Sequence, residues 1–341
     1  MRVSELDYEL PEELIAQRPA SPRDASRLMV VDVANGGISH HVFREFPNFL
    51  SPGDALVLNE TRVIPARLAV RKETGGEVEL LFLRELGSGN GSDRWEALAR
   101  PGRRLREGMR LLAGGEAVRL AGRLAEGHWA VEAADVPGLL SRRGHMPLPP
   151  YIEPTPEAER EYQTVYAREA GSAAAPTAGL HFTEEVLAGC RAAGAGIART
   201  TLHVGTGTFS PVRAERLEEH TMHAERYRVP EAAAETVESA RRVVAVGTTV
   251  ARTLETWAQT GEREGESELF IYPGYRWRTV DALLTNFHLP RSTLLAMVMS
   301  FGGVELVREA YRQAVAERYR FYSFGDAMLL VGGGHSRERA S

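Results

Sequence analysis

Cysteine and lysine are almost missing from this chain: Cys190 and Lys72 are the only ones. One cysteine allows no intrachain disulfide and no cysteine-based metal cluster. A Schiff base or lysine nucleophile would have to rest on Lys72, in the turn-like stretch Arg71-Lys72-Glu73-Thr74-Gly75-Gly76, so such a mechanism is not expected. Long apolar runs are missing too, and none approaches the ~20 residues of a membrane span. The opening MRVSELDYELPEEL carries acids where a signal peptide has a basic and then an apolar region. A soluble cytoplasmic protein without membrane contact is expected. The net charge of −5 argues against coating nucleic acid by charge alone.

With 341 residues and 43% hydrophobic content, the chain can bury one large core or two. Residues 62–148 differ in character from the rest. They hold 15 Arg and Lys against 11 Asp and Glu. Short β-rich runs, Arg67–Val70, Val78–Leu83 and Trp95–Ala99, are separated by Gly75-Gly76, by residues 87–92 and by Pro101-Gly102, with further strands near Val118 and Trp129. This spacing predicts a small antiparallel barrel or sandwich inserted between residues 1–61 and 149–331, which form one α/β domain. Residues 142–150 read as a returning linker, and 332–341 as a frayed tail. In the main domain, Leu10–Gln17 reads as a short helix, Asp54–Asn59 as a buried strand, and Val243–Gly247 as a strand leading to a helix capped by Thr248 or Thr249. Val280–Phe287 reads as another strand before a helix from Ser292, and residues 261–266 as a solvated loop.

Four motifs carry candidate chemistry. Ala175–Thr183 brings His181 close to a helix that Thr183 can cap, where the dipole favours the neutral imidazole; a tight loop with a structural histidine is the alternative. Leu202–Pro211 offers His203 and the amides and hydroxyls of Gly205, Thr206, Gly207 and Thr208, but lacks the third glycine of a dinucleotide loop. A simple turn explains it equally well. His220 and His223 would share one face if their segment were helical, yet no third ligand completes a zinc pattern. Asn286 and His288 follow a strand, where open α/β sheets gather their ligands. Arg100, Arg103 and Arg104 in the insertion, with Arg142-Arg143 and the strip Tyr319–Asp326 including Tyr322, are either solvated faces or RNA contacts.

The order of these motifs resembles one family throughout. LPEELIAQRPASPRDASRL, LNETRVIPARL, APTAGLHFT, LHVGTGTFSPV, HTMHAERY, TNFHLP and YRFYSFGDAM together resemble the S-adenosylmethionine:tRNA ribosyltransferase-isomerases of the queuosine pathway. The likeness fades within the insertion after Leu68. It implies an α/β domain with an inserted β-barrel. It also implies transfer and isomerisation of the ribosyl part of S-adenosylmethionine onto 7-aminomethyl-7-deazaguanine at the wobble position of tRNA, giving epoxyqueuosine, adenine and methionine. The implied tRNAs are those for Tyr, His, Asn and Asp. S-adenosylmethionine is consumed as substrate, and no metal or redox cofactor is expected. A monomer is expected. Such chemistry needs a base beside the sulfonium and an acid near adenine. His181 is the first choice for proton transfer and His203 the second, with Thr183, Gly205, Thr206, Gly207, Thr208, His223, Asn286 and His288 binding substrate. A tRNA methyltransferase and a non-catalytic RNA-binding module are the competing readings.

Overall fold

A computed structural model describes residues 1–89, 91–205, 212 and 214–334. Two compact units divide the chain: one holds residues 1–61, 150–169 and 175 onward, the other 62–149 and 170–174. The second unit thus takes in 170–174, which the sequence placed in the main domain. Ile64 N–H donates to the Ser172 carbonyl at 3.2 Å, tying that segment to residue 64.

The first unit is built on one mixed sheet of nine strands: β1 (Arg27–Asp32), β2 (Gly37–Val42), β3 (Asp54–Asn59), β12 (Gly196–Leu202), β13 (Glu225–Arg228), β14 (Arg242–Val246), β15 (Glu264–Ser267), β16 (Ala282–Asn286) and β17 (Ala327–Val331). Their spatial order is β15-β13-β12-β3-β14-β16-β17-β1-β2. At its centre β12, β3, β14 and β16 run parallel. Every residue of β3 and β16 is buried, as expected of strands covered on both faces. Phe43, Phe46, Phe182, Leu187, Leu56, Val244 and Leu284 share the core on one side. Five helices of this unit are α3 (Glu184–Ala192), α4 (Glu231–Glu238), α5 (Thr248–Thr260), α6 (Thr293–Gly302) and α7 (Val304–Ala316). Because the four central strands are parallel, Glu60, His203, Gly247 and Phe287 all emerge at the same edge, the carboxyl ends of the strands.

The second unit contains a closed barrel of β5 (Arg67–Lys72), β6 (Glu77–Gly89), β7 (Ser92–Arg100), β8 (Arg110–Ala113), β9 (Glu116–Arg123) and β10 (Trp129–Ala133), in the order β10-β7-β6-β5-β8-β9. All of its ladders are antiparallel. Alternate residues point inward, so Leu68, Val70, Leu80, Phe82, Leu120, Trp129 and Val131 fill it.

Several local expectations needed tertiary information. Leu10–Gln17 is not a helix beyond the single turn Glu12–Leu14, because Ala16 N–H and the Leu14 carbonyl are taken by the backbone of Phe321. Residues 264–267 are an edge strand rather than loop, paired with β13. The N-cap of α5 is Gly247, with φ 91°, a conformation that excludes either threonine. Gly87–Gly89 continue β6 through two bulges instead of ending it. Arg142-Arg143 close a helix, α1 (Val136–Arg143), whose N-cap Asp135 accepts from Gly138 N–H at 2.8 Å. A last helix, α2 (Pro156–Glu161), is capped by Thr155 in the first unit.

One carboxylate organises the entry to β16. Glu255 of α5 is fully buried and accepts four hydrogen bonds: from Thr279 N–H (2.9 Å), Val280 N–H (3.0 Å), Arg278 N–H (2.8 Å) and the Tyr275 hydroxyl (3.0 Å). Truncation would leave three backbone donors unserved in a dry site. Glu255→Ala is expected to lower unfolding free energy by at least about 3 kcal/mol in denaturant titrations. A loss below about 1 kcal/mol would show that the loop holds itself.

Candidate active site at the carboxyl edge of the central sheet

His181 closes the single turn Thr177–His181, just before Thr183 caps α3 by accepting from Val186 N–H at 3.3 Å. The turn packs so closely that a Cβ on Gly179 would lie 1.9 Å from the Tyr166 hydroxyl. The imidazole stacks on Phe43, with centroids 4.9 Å apart. Its Nδ1 lies 2.8 Å from Ser26 Oγ and its Nε2 3.2 Å from Asn286 Nδ2. Asn286 Nδ2 also donates to the Tyr322 carbonyl at 3.0 Å, which fixes the amide orientation. A donor amide facing Nε2 makes that nitrogen the acceptor, so the proton sits on Nδ1 and goes to Ser26. Burial, aided by Arg320 and Arg23, pushes this imidazole down to about 3. The neutral form reached from the helix-dipole argument is therefore present for a different reason, desolvation.

His288, two residues after Asn286, is also buried. Its Nε2 lies 2.6 Å from Thr285 Oγ1, its N–H donates to the Tyr311 hydroxyl at 2.9 Å, and burial lowers its pKa to about 3. The strip Tyr319–Asp326 is not a surface patch: Tyr319, Phe321, Tyr322 and Phe324 are all buried. Asp326 organises it, accepting from Arg27 N–H (2.9 Å) and Arg320 N–H (2.8 Å). Tyr322 adopts φ 70° and places its ring 4.7 Å from that of Tyr151. Asn286, His288, Tyr322, Tyr151, Thr177 and Ser323 line one cavity of the first unit.

A second cluster surrounds the ends of β3 and β12. His203 is half-buried and its Nδ1 lies 2.9 Å from Thr61 Oγ1, which itself donates to the Glu169 carbonyl at 3.4 Å. The threonine proton being spent there, Nδ1 carries the imidazole proton and Nε2 keeps its lone pair. Burial and then Arg226 lower the His203 pKa. Next to it in sequence from β3 stands Glu60, which the motif reading did not single out. Its Oε2 is buried without a hydrogen bond, 3.7 Å from Arg199 Nη1, and burial raises its pKa against the opposing pull of Arg199 and Arg168. A glutamate directly after a fully buried strand was the available signal.

Other candidates are placed elsewhere. Thr206, Gly207 and Thr208 lie outside the described residues. The Gly205 amide is already held by a carboxylate of the chain itself, Glu225 Oε1 at 2.7 Å. Glu225 in turn pairs with buried Arg252 at 2.8 Å and lines, with Thr248, Thr249 and Thr293, a second cavity. His223 is exposed in a non-helical segment, so the shared helical face with His220 does not exist. Among the described residues, no group of three His, Cys, Asp or Glu side chains is arranged to hold a metal ion. Likewise, no described helix is long and apolar enough to cross a membrane. In the barrel unit, Arg100, Arg103 and Arg104 are exposed around buried Leu105. Arg142 and Arg143 are instead spent on Glu116, at 2.7 and 3.1 Å.

Comparison with known proteins defines the class. The model of the queuosine biosynthesis protein family matches residues 3–330, and the chain belongs to that family. Its relatives narrow this further. A Rubrobacter xylanophilus protein is 73% identical over 98% of this chain and 99% of its own length, and one from Symbiobacterium thermophilum is 53% identical over 97% and 100%; both are named S-adenosylmethionine:tRNA ribosyltransferase-isomerase. The crystal structure of S-adenosylmethionine tRNA ribosyltransferase from Thermotoga maritima is 40% identical, covers 96% of this chain and 100% of its own, and superposes with a TM-score of 0.55.

The two deeply buried imidazoles give a pH signature. Free histidine titrates near 6.5, so the unfolded chain takes up protons below that value while folded His181 and His288 remain neutral down to about 3. Their stabilisation is complete above pH 6.5 and is lost as pH falls through that window. Each should cost about 2 kcal/mol at pH 5 relative to pH 7.5. Denaturant midpoints across this range test it, and histidine resonances of His181 or His288 titrating near 6.5 would overturn the assignment.

Proposed function

We propose that this protein transfers and isomerises the ribosyl moiety of S-adenosylmethionine onto 7-aminomethyl-7-deazaguanine at the wobble position of tRNA, releasing adenine and methionine. The observation that carries this reading is the 73% identity, over nearly the full length of both chains, to an S-adenosylmethionine:tRNA ribosyltransferase-isomerase. The edge of the parallel sheet adds the groups such a reaction uses. The sulfonium acidifies the 5′ hydrogens, and a neutral imidazole with a free Nε2 can take one. His203 is oriented for that role by Thr61. His181, the first choice from sequence, has both nitrogens engaged and acts by holding Asn286. Glu60, whose carboxyl is biased toward its protonated form, suits the donor of a proton to departing adenine. The amine of the modified base then attacks the ribosyl fragment, and epoxide closure expels methionine. These steps use acid, base and charge stabilisation, without a metal or redox cofactor. The protein would act as a cytoplasmic monomer on tRNAs for Tyr, His, Asn and Asp.

His203→Ala should lower turnover by about 100-fold or more, with adenine release as the readout, while His203→Gln leaves stability unchanged and activity equally low. Activity within a few-fold of the parent would remove His203 from proton transfer. Methylated tRNA with S-adenosylhomocysteine, instead of adenine and methionine, would overturn the reaction itself.

Arg103 and Arg104 are exposed, with no carboxylate in ion-pair reach among the described residues. The double change to Ala should weaken tRNA binding and reduce the slope of log affinity against log salt by about 1 to 2, while S-adenosylmethionine binding persists. An unchanged slope would return this loop to a solvated face.

A further inference from the structure

Asn286 is 2% exposed and its amide nitrogen is fully committed, to the Tyr322 carbonyl at 3.0 Å and to His181 Nε2 at 3.2 Å. Its Oδ1 is buried and has no hydrogen-bond partner. Reversing the amide would set that oxygen against the Tyr322 carbonyl, so the orphan acceptor is built in rather than a matter of orientation. Buried acceptors without donors are rare because desolvation is uncompensated, and one on a cavity wall is placed to accept from a group that enters the cavity.

The cavity that Asn286 lines says what kind of donor. Tyr151 and Tyr322 supply aromatic walls, and the Tyr151 hydroxyl meets Ser323 Oγ at 2.8 Å, giving a second polar point that either donates or accepts. The lining includes no carboxylate, lysine or arginine. An ammonium donor would enter without a counter-charge, which a buried site does not tolerate. A flat, neutral heterocycle with an N–H edge satisfies both conditions, its face on the tyrosines and its edge on the amide oxygen.

We propose that this cavity recognises a purine-type ring through its exocyclic amine, which donates to Asn286 Oδ1, and that His181 is a positioning residue that, together with the Tyr322 carbonyl, keeps this oxygen turned into the cavity. The inference deepens the reading above, in which two such rings take part: adenine of the donor and the deazaguanine of the tRNA. Strand spacing of about 4.8 Å separates the ends of β12 and β16 by about 14 Å.

The test is equilibrium binding of free bases to the intact protein. One arm compares adenine with hypoxanthine, which replaces the amine by an oxo group. The other compares 7-aminomethyl-7-deazaguanine with its analogue lacking the 2-amino group. At least tenfold preference for the amine-bearing base in one arm is expected, and that arm identifies the ring. His181→Gln, whose amide oxygen can still accept from Asn286, should retain the preference; His181→Leu, which leaves the Tyr322 carbonyl alone to hold the amide, should reduce it at least threefold with the fold intact by circular dichroism. Equal binding within both pairs by the parent overturns the proposal, and so does preference retained in His181→Leu. If His181→Leu does not fold, Asn286→Ala decides instead: it removes the acceptor from the cavity wall, so a preference retained there overturns it. Adenine release from S-adenosylmethionine, measured on the same preparation, separates the two readings: turnover without base preference leaves the reaction standing and removes this inference.

Discussion

The side-chain amide of Asn286 joins three segments that are distant along the chain. Through one nitrogen it binds the carbonyl of Tyr322 and the ring of His181, 36 and 105 residues away. Both partners are unusual in their own right. Tyr322 is a non-glycine residue at φ 70°, and His181 is an imidazole buried so deeply that it stays neutral far below its ordinary range. Strain and desolvation of this kind persist where the surroundings over-determine them. Here the surroundings are a stacked Phe43, the Ser26 hydroxyl and the Asp326 carboxylate that clamps the turn around Tyr322.

The parallel centre of the sheet turns this junction into a site. Ligand-facing loops of parallel strands emerge on one side, so Glu60, His203 and Asn286 reach the same edge though they come from separate motifs. His203 is held by the Thr61 hydroxyl, Asn286 by the Tyr322 carbonyl and the His181 ring, and Glu60 stands beside the Arg199 guanidinium. Glu255 does similar work upstream, fixing the chain as it enters β16 with four hydrogen bonds to one carboxylate. Oδ1 of Asn286 is among the buried polar atoms of this unit that have no hydrogen-bond partner, and it is the one that lies on the wall of the cavity beside Tyr151 and Tyr322.

The barrel unit follows a different logic. Its interior is alternating apolar side chains, and its charge sits outside, partly neutralised by cross-strand pairs such as Arg119 with Glu132 and Arg84 with Glu96. The positive excess in composition is therefore narrower as a surface property than the count suggests. Arg142 and Arg143, equal to Arg103 and Arg104 when read as sequence, are paired with Glu116, whereas the 100–106 loop keeps its arginines exposed.

Sequence alone determined the parts of this protein that depend on local pattern. Short β-rich runs between glycine and proline turns marked the barrel strands, an apolar run marked β3, and Thr183 and Ser292 announced the helices they cap, because each signal lies within a few residues. Motif order also carried the family. What needed the tertiary structure was every decision made by a remote partner. Phe321 draws Leu14–Ala16 out of a helix, β13 converts residues 264–267 from loop to edge strand, and Glu225 takes the Gly205 amide. The same holds for the histidines. Their residue type and motif made them candidates, but burial and the donor or acceptor facing each ring nitrogen separate His181 from His203, and those are properties of segments up to 155 residues away.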